Sequence, residues 1–263
     1  MIKAIIKVLK MFLLIVCAGS LILGGSYYYK LYKEEDQISQ LRSRQFWNQA
    51  QYSNQDNLVT TFNTTINSSP TILNKYRDFK MENSDLFGWV RIVDTKINYP
   101  VMQTIDDPLF YKHNDWNKEK AIMGLPMADA RCTYNSDNIT IYAHNMEDGL
   151  MFGSLKKYKD LKYYLKHPVI CFDTLYEKGE YDIIGVFLSK VHYNELPNSS
   201  EFLFYNYIDM NEDEFNTYVS NVKRLSLYNT GESAVYGDKL LTLSTCNYHT
   251  KDGRFVVVAR KRK

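Results

Sequence analysis

Two short segments near the C-terminal end carry the residues best suited to covalent chemistry. The run TLSTC, Thr242 to Cys246, closes an apolar segment, and a polar turn, NYHTKDG, separates it from RFVVVAR, which opens on Arg254. A hairpin over this turn returns Arg254 beside Cys246. A thiolate there can attack a carbonyl carbon, while a guanidinium beside it holds the carbonyl oxygen as it becomes an oxyanion. The same pattern also fits an inert buried thiol and a surface arginine at a strand end. A proton-transfer partner is needed to choose between the two readings.

Of the five histidines, His144 stands out. It ends the apolar run NITIYAH and is followed by Asn145 and a loop containing Asp148 and Gly149, where a side chain can project from a rigid support. His113, His167, His192 and His249 lie in polar stretches and are expected to be solvated. His249 is the rival, being three residues from Cys246, although its tight turn directs it to water. The cysteines Cys17, Cys132, Cys171 and Cys246 show no C-x-x-C pair and no zinc spacing, so no metal and no cofactor is expected. With Cys17 inside an apolar N-terminal run, the other three cannot all pair with one another.

These residues must be carried by strands. Short apolar runs recur between turn residues at 89–93, 97–102, 121–127, 139–143, 168–172, 181–189, 239–246 and 254–259. They read as eight strands able to close into a barrel. Two helical patches interrupt them, one near Phe152 to Leu165 and one from Glu212 to Leu225, where Phe215, Val219 and Val222 share a face. Ile72, Leu73, Tyr76 and Phe79 recur at helical spacing after Pro70, marking the start of the main domain.

The combination resembles the sortase family: TLSTC, then an Arg opening an apolar strand, with an apolar strand ending in H-N-M well upstream. YAHNMEDGLMFGSLKKY at 142–158 and the helical segment between YDIIGVF and KLLTLSTC are similar to class B sortases, and the resemblance spans about Tyr76 to Arg260. It implies a mostly β fold, a closed eight-stranded sortase-type barrel with N-terminal helices and a helix between the late strands. It implies a cysteine transpeptidase of the Gram-positive surface that cuts the C-terminal sorting signal of a secreted protein after Thr. A thioacyl enzyme then passes the protein to an amine of the cell wall, from a precursor or peptidoglycan, or to a pilin. By motif position, Cys246 is the nucleophile, His144 the acid and then base, and Arg254 the cation on the oxyanion side. Thr245 and Ser244 line the cleft for substrate. The motifs assign no acidic third member.

The N-terminal region agrees independently. Residues 11–29 are uncharged and mostly apolar, about the length of a membrane-crossing helix. Lys3, Lys7 and Lys10 precede the run, while Glu34, Glu35 and Asp36 follow Lys30 and Lys33, which predicts a cytoplasmic N-terminus and an extracellular domain. No A-x-A-like site ends the run, and Cys17 has Val16 before it and further apolar residues after it, which argues against a cleaved signal peptide or a lipoprotein. The expected order is a cytoplasmic segment at 1–10, a transmembrane anchor at 11–29, a stalk or peripheral helix with a polar linker at 30–70, and a catalytic domain at 71–263.

Composition excludes more than it names. A net charge of +2, from 32 basic and 30 acidic residues, gives no field to gather nucleic acid. Tyrosine is abundant, with 22 residues, while Gly and Pro are few, as suits an aromatic-rich β domain. Two other readings share parts of this pattern. A surface cysteine protease would hydrolyse the same thioacyl intermediate, and an anchored adhesion or scaffold module would have no use for Cys, Arg and His around one cleft.

Overall fold

A computed structural model describes residues 2–65, 70–192 and 201–263. Its eight strands are β1 (Leu86–Arg91), β2 (Asn98–Met102), β3 (Met127–Ala128), β4 (Asn138–Ala143), β5 (Val169–Thr174), β6 (Glu180–Lys190), β7 (Leu240–Cys246) and β8 (Gly253–Lys261). They close a barrel in the order β1-β2-β3-β4-β7-β8-β6-β5. The last pair is β5 against β1, antiparallel. Only the β2/β3 and β4/β7 pairs run parallel.

Strand alternation divides the core in two. Leu241, Leu243, Phe255 and Val257 point inward to the barrel core. Leu240, Val256 and Val258 point outward and pack under α4 (Glu212–Leu225), against Phe215, Tyr218 and Val222. The helix starts where expected because Asn211 and Glu214 form a reciprocal capping box. The patch near Phe152 is a 3₁₀ turn over Gly153–Lys159 followed by the short α3 (Leu161–Lys166).

One expected strand is mostly loop. Residues 121–127 contribute only Met127 to β3, because Gly124 adopts φ +57° and Pro126 has no N–H to give a ladder. A Cβ on Gly124 would lie 2.4 Å from the Tyr111 carbonyl oxygen and 2.5 Å from that of Lys112. This segment therefore packs its backbone directly against the turn over Phe110–Lys112.

The N-terminal region is a single helix, α1 (Ile2–Thr65), of 64 residues. Its first half exposes Leu13, Leu14, Leu21 and Leu23, and an 18-residue window reaches a mean hydropathy of 2.3. Among the described residues it is the one helix long and apolar enough to cross a membrane.

The second half docks on the barrel. Ile38 and Leu41 join the main core, and the Glu34 carboxylate accepts from the N–H groups of Ile122 and Met123, each at 2.8 Å. Arg42 donates to the Asn98 carbonyl at 2.8 Å and lies over the Tyr99 ring. The Asn- and Gln-rich stretch after residue 51 is helical up to Thr65 rather than a linker. Its polar side chains are spent on nearby backbone: Asn63 donates to the carbonyls of Thr71 and Tyr176, and Asp56 accepts from the N–H groups of Asn74 and Lys75. Asp56 thereby caps α2 (Asn74–Glu82) from another helix, and α2 buries Tyr76 and Phe79 against Trp89.

Candidate active site

Cys246 is the last residue of β7, and its register partner across the antiparallel ladder is Arg254, near the start of β8. Side chains of directly opposed residues share a face, with Cβ atoms about 5 Å apart. The turn between them is held by Asn247 N–H on the Gly253 carbonyl at 2.9 Å. On the other side, β4 runs parallel to β7 with Ala143 opposite Thr245, so His144 and Cys246 leave adjacent strand ends. Asn145 ties those ends together, donating from Nδ2 to the Cys246 carbonyl at 2.8 Å.

His144, Cys246 and Arg254 border one cleft of about 550 Å³. Leu109, Leu125 and Met127 supply apolar wall, and Ser244 and Thr245 lie on its floor. The two floor residues differ in what their hydroxyls do. The Thr245 hydroxyl donates to the Ala143 carbonyl at 2.8 Å, fastening β7 to β4. Ser244, on the same strand face as Cys246, is 1% exposed, and its hydroxyl has no partner among the described residues. It is a buried polar group without a described partner, beneath the cleft lining.

The imidazole of His144 is held by a backbone group. Its Nε2 lies 2.8 Å from the Lys112 carbonyl oxygen, and since a carbonyl can only accept, Nε2 carries a hydrogen. Burial holds the His144 pKa below the ordinary imidazole value; the Lys112 hydrogen bond opposes this, while His113 and Lys112 add to it through their charge. The Arg254 guanidinium donates to the carbonyls of Asp252 and Gly253, at 3.2 and 2.9 Å, which brace it along the cleft wall.

The cleft also carries a polar network that sequence reasoning missed. Asp129 takes a two-pronged contact from Arg131, at 2.9 and 2.8 Å, and a hydrogen bond from the Tyr142 hydroxyl at 3.2 Å. Burial pushes the Asp129 carboxyl up, but these donors outweigh it and hold the pKa below its ordinary value. Lys112, Asn145 and Asp129 carry no local signal, since their roles arise from loops packed beside strands distant in sequence.

Of the other histidines, His113 lies beside His144 and the remaining three are elsewhere. His249 sits in the exposed β7–β8 turn, with Nδ1 3.1 Å from Asn247 Oδ1, and does not border the cleft. His167 contacts the Val93 carbonyl, and the His113 ring stacks obliquely on His144 at 5.5 Å. His192 departs from expectation: its side chain is largely buried, with Nε2 2.7 Å from Glu201 Oε2. All four cysteines are free. Burial pushes Cys132 up to about 12 and raises Cys171, so both are poor nucleophiles.

A family model, the sortase domain, matches residues 90–262. The chain belongs to the sortase family. Sortase B of Listeria monocytogenes is 31% identical over 201 residues, covering 73% of this chain and 76% of the relative. Sortase B of Staphylococcus aureus is 28% identical over 192 residues, covering 71% and 74%. Among solved structures, a Staphylococcus aureus sortase B–substrate complex superposes with a TM-score of 0.72 at 22% identity, over 89% of this chain and 99% of that one. Sortase B from Listeria monocytogenes gives 0.59 at 31% identity, over 70% and 98%. The sortase barrel and a cysteine transpeptidase activity are thus established, with class B sortases as the relatives. Sortases act at the cell surface on proteins bearing sorting signals and on cell-wall precursors, and α1 supplies a candidate membrane anchor.

Proposed function

We propose that this sortase uses Cys246 as nucleophile, His144 as acid and base, and Arg254 as the cation facing the oxyanion, and that it cleaves a sorting signal after Thr. The observation supporting this most directly is the register pair Cys246 and Arg254 beside His144, all on one cleft. Attack by Cys246 Sγ forms a C–S bond to the Thr carbonyl carbon, and Arg254 stabilises the oxyanion. Collapse breaks the C–N bond while His144 gives its proton to the departing amine. An acceptor amine of the cell wall or of a pilin then attacks the thioester, His144 removes its proton, and the C–S bond breaks. With Nε2 engaged on Lys112, Nδ1 is the nitrogen that carries the travelling proton. The Lys112 carbonyl takes the orienting role that a carboxylate plays in a Cys-His-Asp triad.

Residues 11–29 anchor the enzyme, with residues 1–10 in the cytoplasm and the catalytic domain, from residue 71 onward, outside the cell. The basic residues before the apolar run and the acidic ones after it support this orientation. Ser244 and Thr245 contact the substrate from the cleft floor.

The test is a panel of quenched fluorescent peptides carrying candidate sorting pentapeptides, incubated with the protein and a soluble amine, with products identified by mass spectrometry. An acyl product ending in Thr joined to the amine is expected. Free acid as the sole product at saturating amine would make the enzyme a protease. Cleavage retained by Cys246→Ala would remove Cys246 from the reaction.

A further inference from the structure

Half-way round the barrel from Cys246, where β1 and β5 meet α1 and α2, lies a second cavity of about 190 Å³. It shares no lining residue with the cleft. Its charged wall comprises Lys75, Arg91, Asp173, Lys178 and Glu180.

The two acids are already matched. Asp173 accepts from Lys75 Nζ, from the Tyr76 hydroxyl at 2.9 Å and from Gly179 N–H at 3.2 Å. Glu180 pairs with Arg262 at 2.7 Å. The remaining cations are not matched. Lys178 donates to neutral oxygens, the Ser53 carbonyl at 3.3 Å and Asn57 Oδ1 at 2.9 Å. The one described contact of the Arg91 guanidinium is Nη2 to Cys171 Sγ, at 3.9 Å, and among the described residues no carboxylate lies within ion-pair distance of it. The acids that act on Lys178 through charge are Asp56 and Asp173, and the Asp56 oxygens are spent on the N–H groups of Asn74 and Lys75. Burial and the charge of Lys75 both hold Lys178 below its ordinary pKa, as expected where cations crowd one another.

We propose that this cavity binds a small oxyanion, a phosphate or carboxylate group, gripped by the Arg91 fork with Lys178 and Lys75 flanking it. A half-buried guanidinium presents parallel N–H donors that match two oxygens of such a group. The amides of Gln45 and Gln49, on α1, line the opposite wall. An occupant therefore touches the barrel and the membrane-proximal helix at once, and its binding stabilises their docking by mass action.

The full chain in detergent micelles is unfolded thermally while inorganic phosphate, or in a second series acetate, replaces chloride at constant ionic strength. A saturable rise in Tm is expected, absent in chloride and abolished in Arg91→Gln. Arg131→Gln, which alters a cation outside this cavity, keeps it. Saturation by phosphate alone assigns a phosphoryl group, and saturation by acetate assigns a carboxylate. The second readout is alkylation of Cys171, which lies beside Arg91: the saturating anion should slow it severalfold and leave Cys132 unchanged. If Arg91→Gln does not fold, Lys178→Gln must show weakened saturation in its place. No saturable rise in either series, or an equal rise in the wild type and Arg91→Gln, overturns the proposal.

Discussion

His144 donates from Nε2 to the backbone carbonyl of Lys112 at 2.8 Å, and that carbonyl is itself packed against Gly124. A methyl group at residue 124 would stand 2.5 Å from the Lys112 oxygen, so Gly124→Ala must displace it, besides straining a residue at φ +57°. The hydrogen bond favours charged imidazole, and its loss moves the His144 pKa further down. In the proposed mechanism catalysis needs imidazolium together with thiolate, so the wild-type rate should be bell-shaped in pH, with limbs belonging to the coupled pair. Gly124→Ala should shift the acid limb to lower pH and lower the peak. In the wild type, ¹⁵N spectra of labelled histidine should show the Nε2–H tautomer at high pH; an Nδ1–H tautomer there would refute the assignment whatever the variant does.

Arg254→Lys keeps the charge and the strand but replaces a planar fork by a single ammonium. Loss of an oxyanion donor typically costs on the order of 100-fold in rate. The expected fall is of that size in kcat, with KM changed less. A variant within about twofold of wild type would show that Arg254 does not face the oxyanion.

Ser244 and Thr245 should respond in opposite ways. Ser244→Ala removes a buried hydroxyl that has no partner, so stability should hold or rise slightly while peptide KM increases. Thr245→Val removes the bond to the Ala143 carbonyl and should cost about 1 kcal/mol of stability. Denaturant melts set beside peptide kinetics separate the two. Equal destabilisation would mean that the Ser244 hydroxyl is satisfied in the native state.

Iodoacetamide at neutral pH should label Cys246 well before Cys132, whose burial makes the thiolate costly, and before Cys171. His144→Ala should remain alkylated at Cys246 yet release almost no product from peptide, because departure of the amine has lost its acid. Peptide cleavage by His144→Ala at near the wild-type rate would transfer the role to another group.

The docked half of α1 contributes stability. Ile38 and Leu41 are buried, and burying such a side chain is worth about 1.5–3 kcal/mol. A chain beginning at residue 71 should therefore melt well below one beginning at residue 31. Equal melting temperatures would mean that the contacts of Glu34, Arg42 and Asn63 add nothing.

Short apolar runs between turn residues, the TLSTC run with an Arg after a short turn, and the strand ending in His144 are local patterns; they read as eight strands, carry the resemblance to the sortase family and name the candidate Cys, His and Arg. The uncharged run at 11–29 was legible for the same reason, since bilayer-scale hydropathy is a property of consecutive residues. Register, by contrast, belongs to pairs of strands. The short turn already places Arg254 beside Cys246, but their exact register pairing, and β4 lying beside β7 across about a hundred residues of chain, come only with the assembled barrel. Residues 121–127 read as a strand from their apolar content, but Gly124 and Pro126 made them the loop that presses on Lys112. Residues 51–65 read as a linker from their polarity, because composition does not reveal that Asp56 and Asn63 have backbone partners waiting at the start of α2 and in the β5–β6 turn. The orienting carbonyl of Lys112 was invisible for a simpler reason: every residue has a carbonyl, and only tertiary packing decides which one meets a histidine.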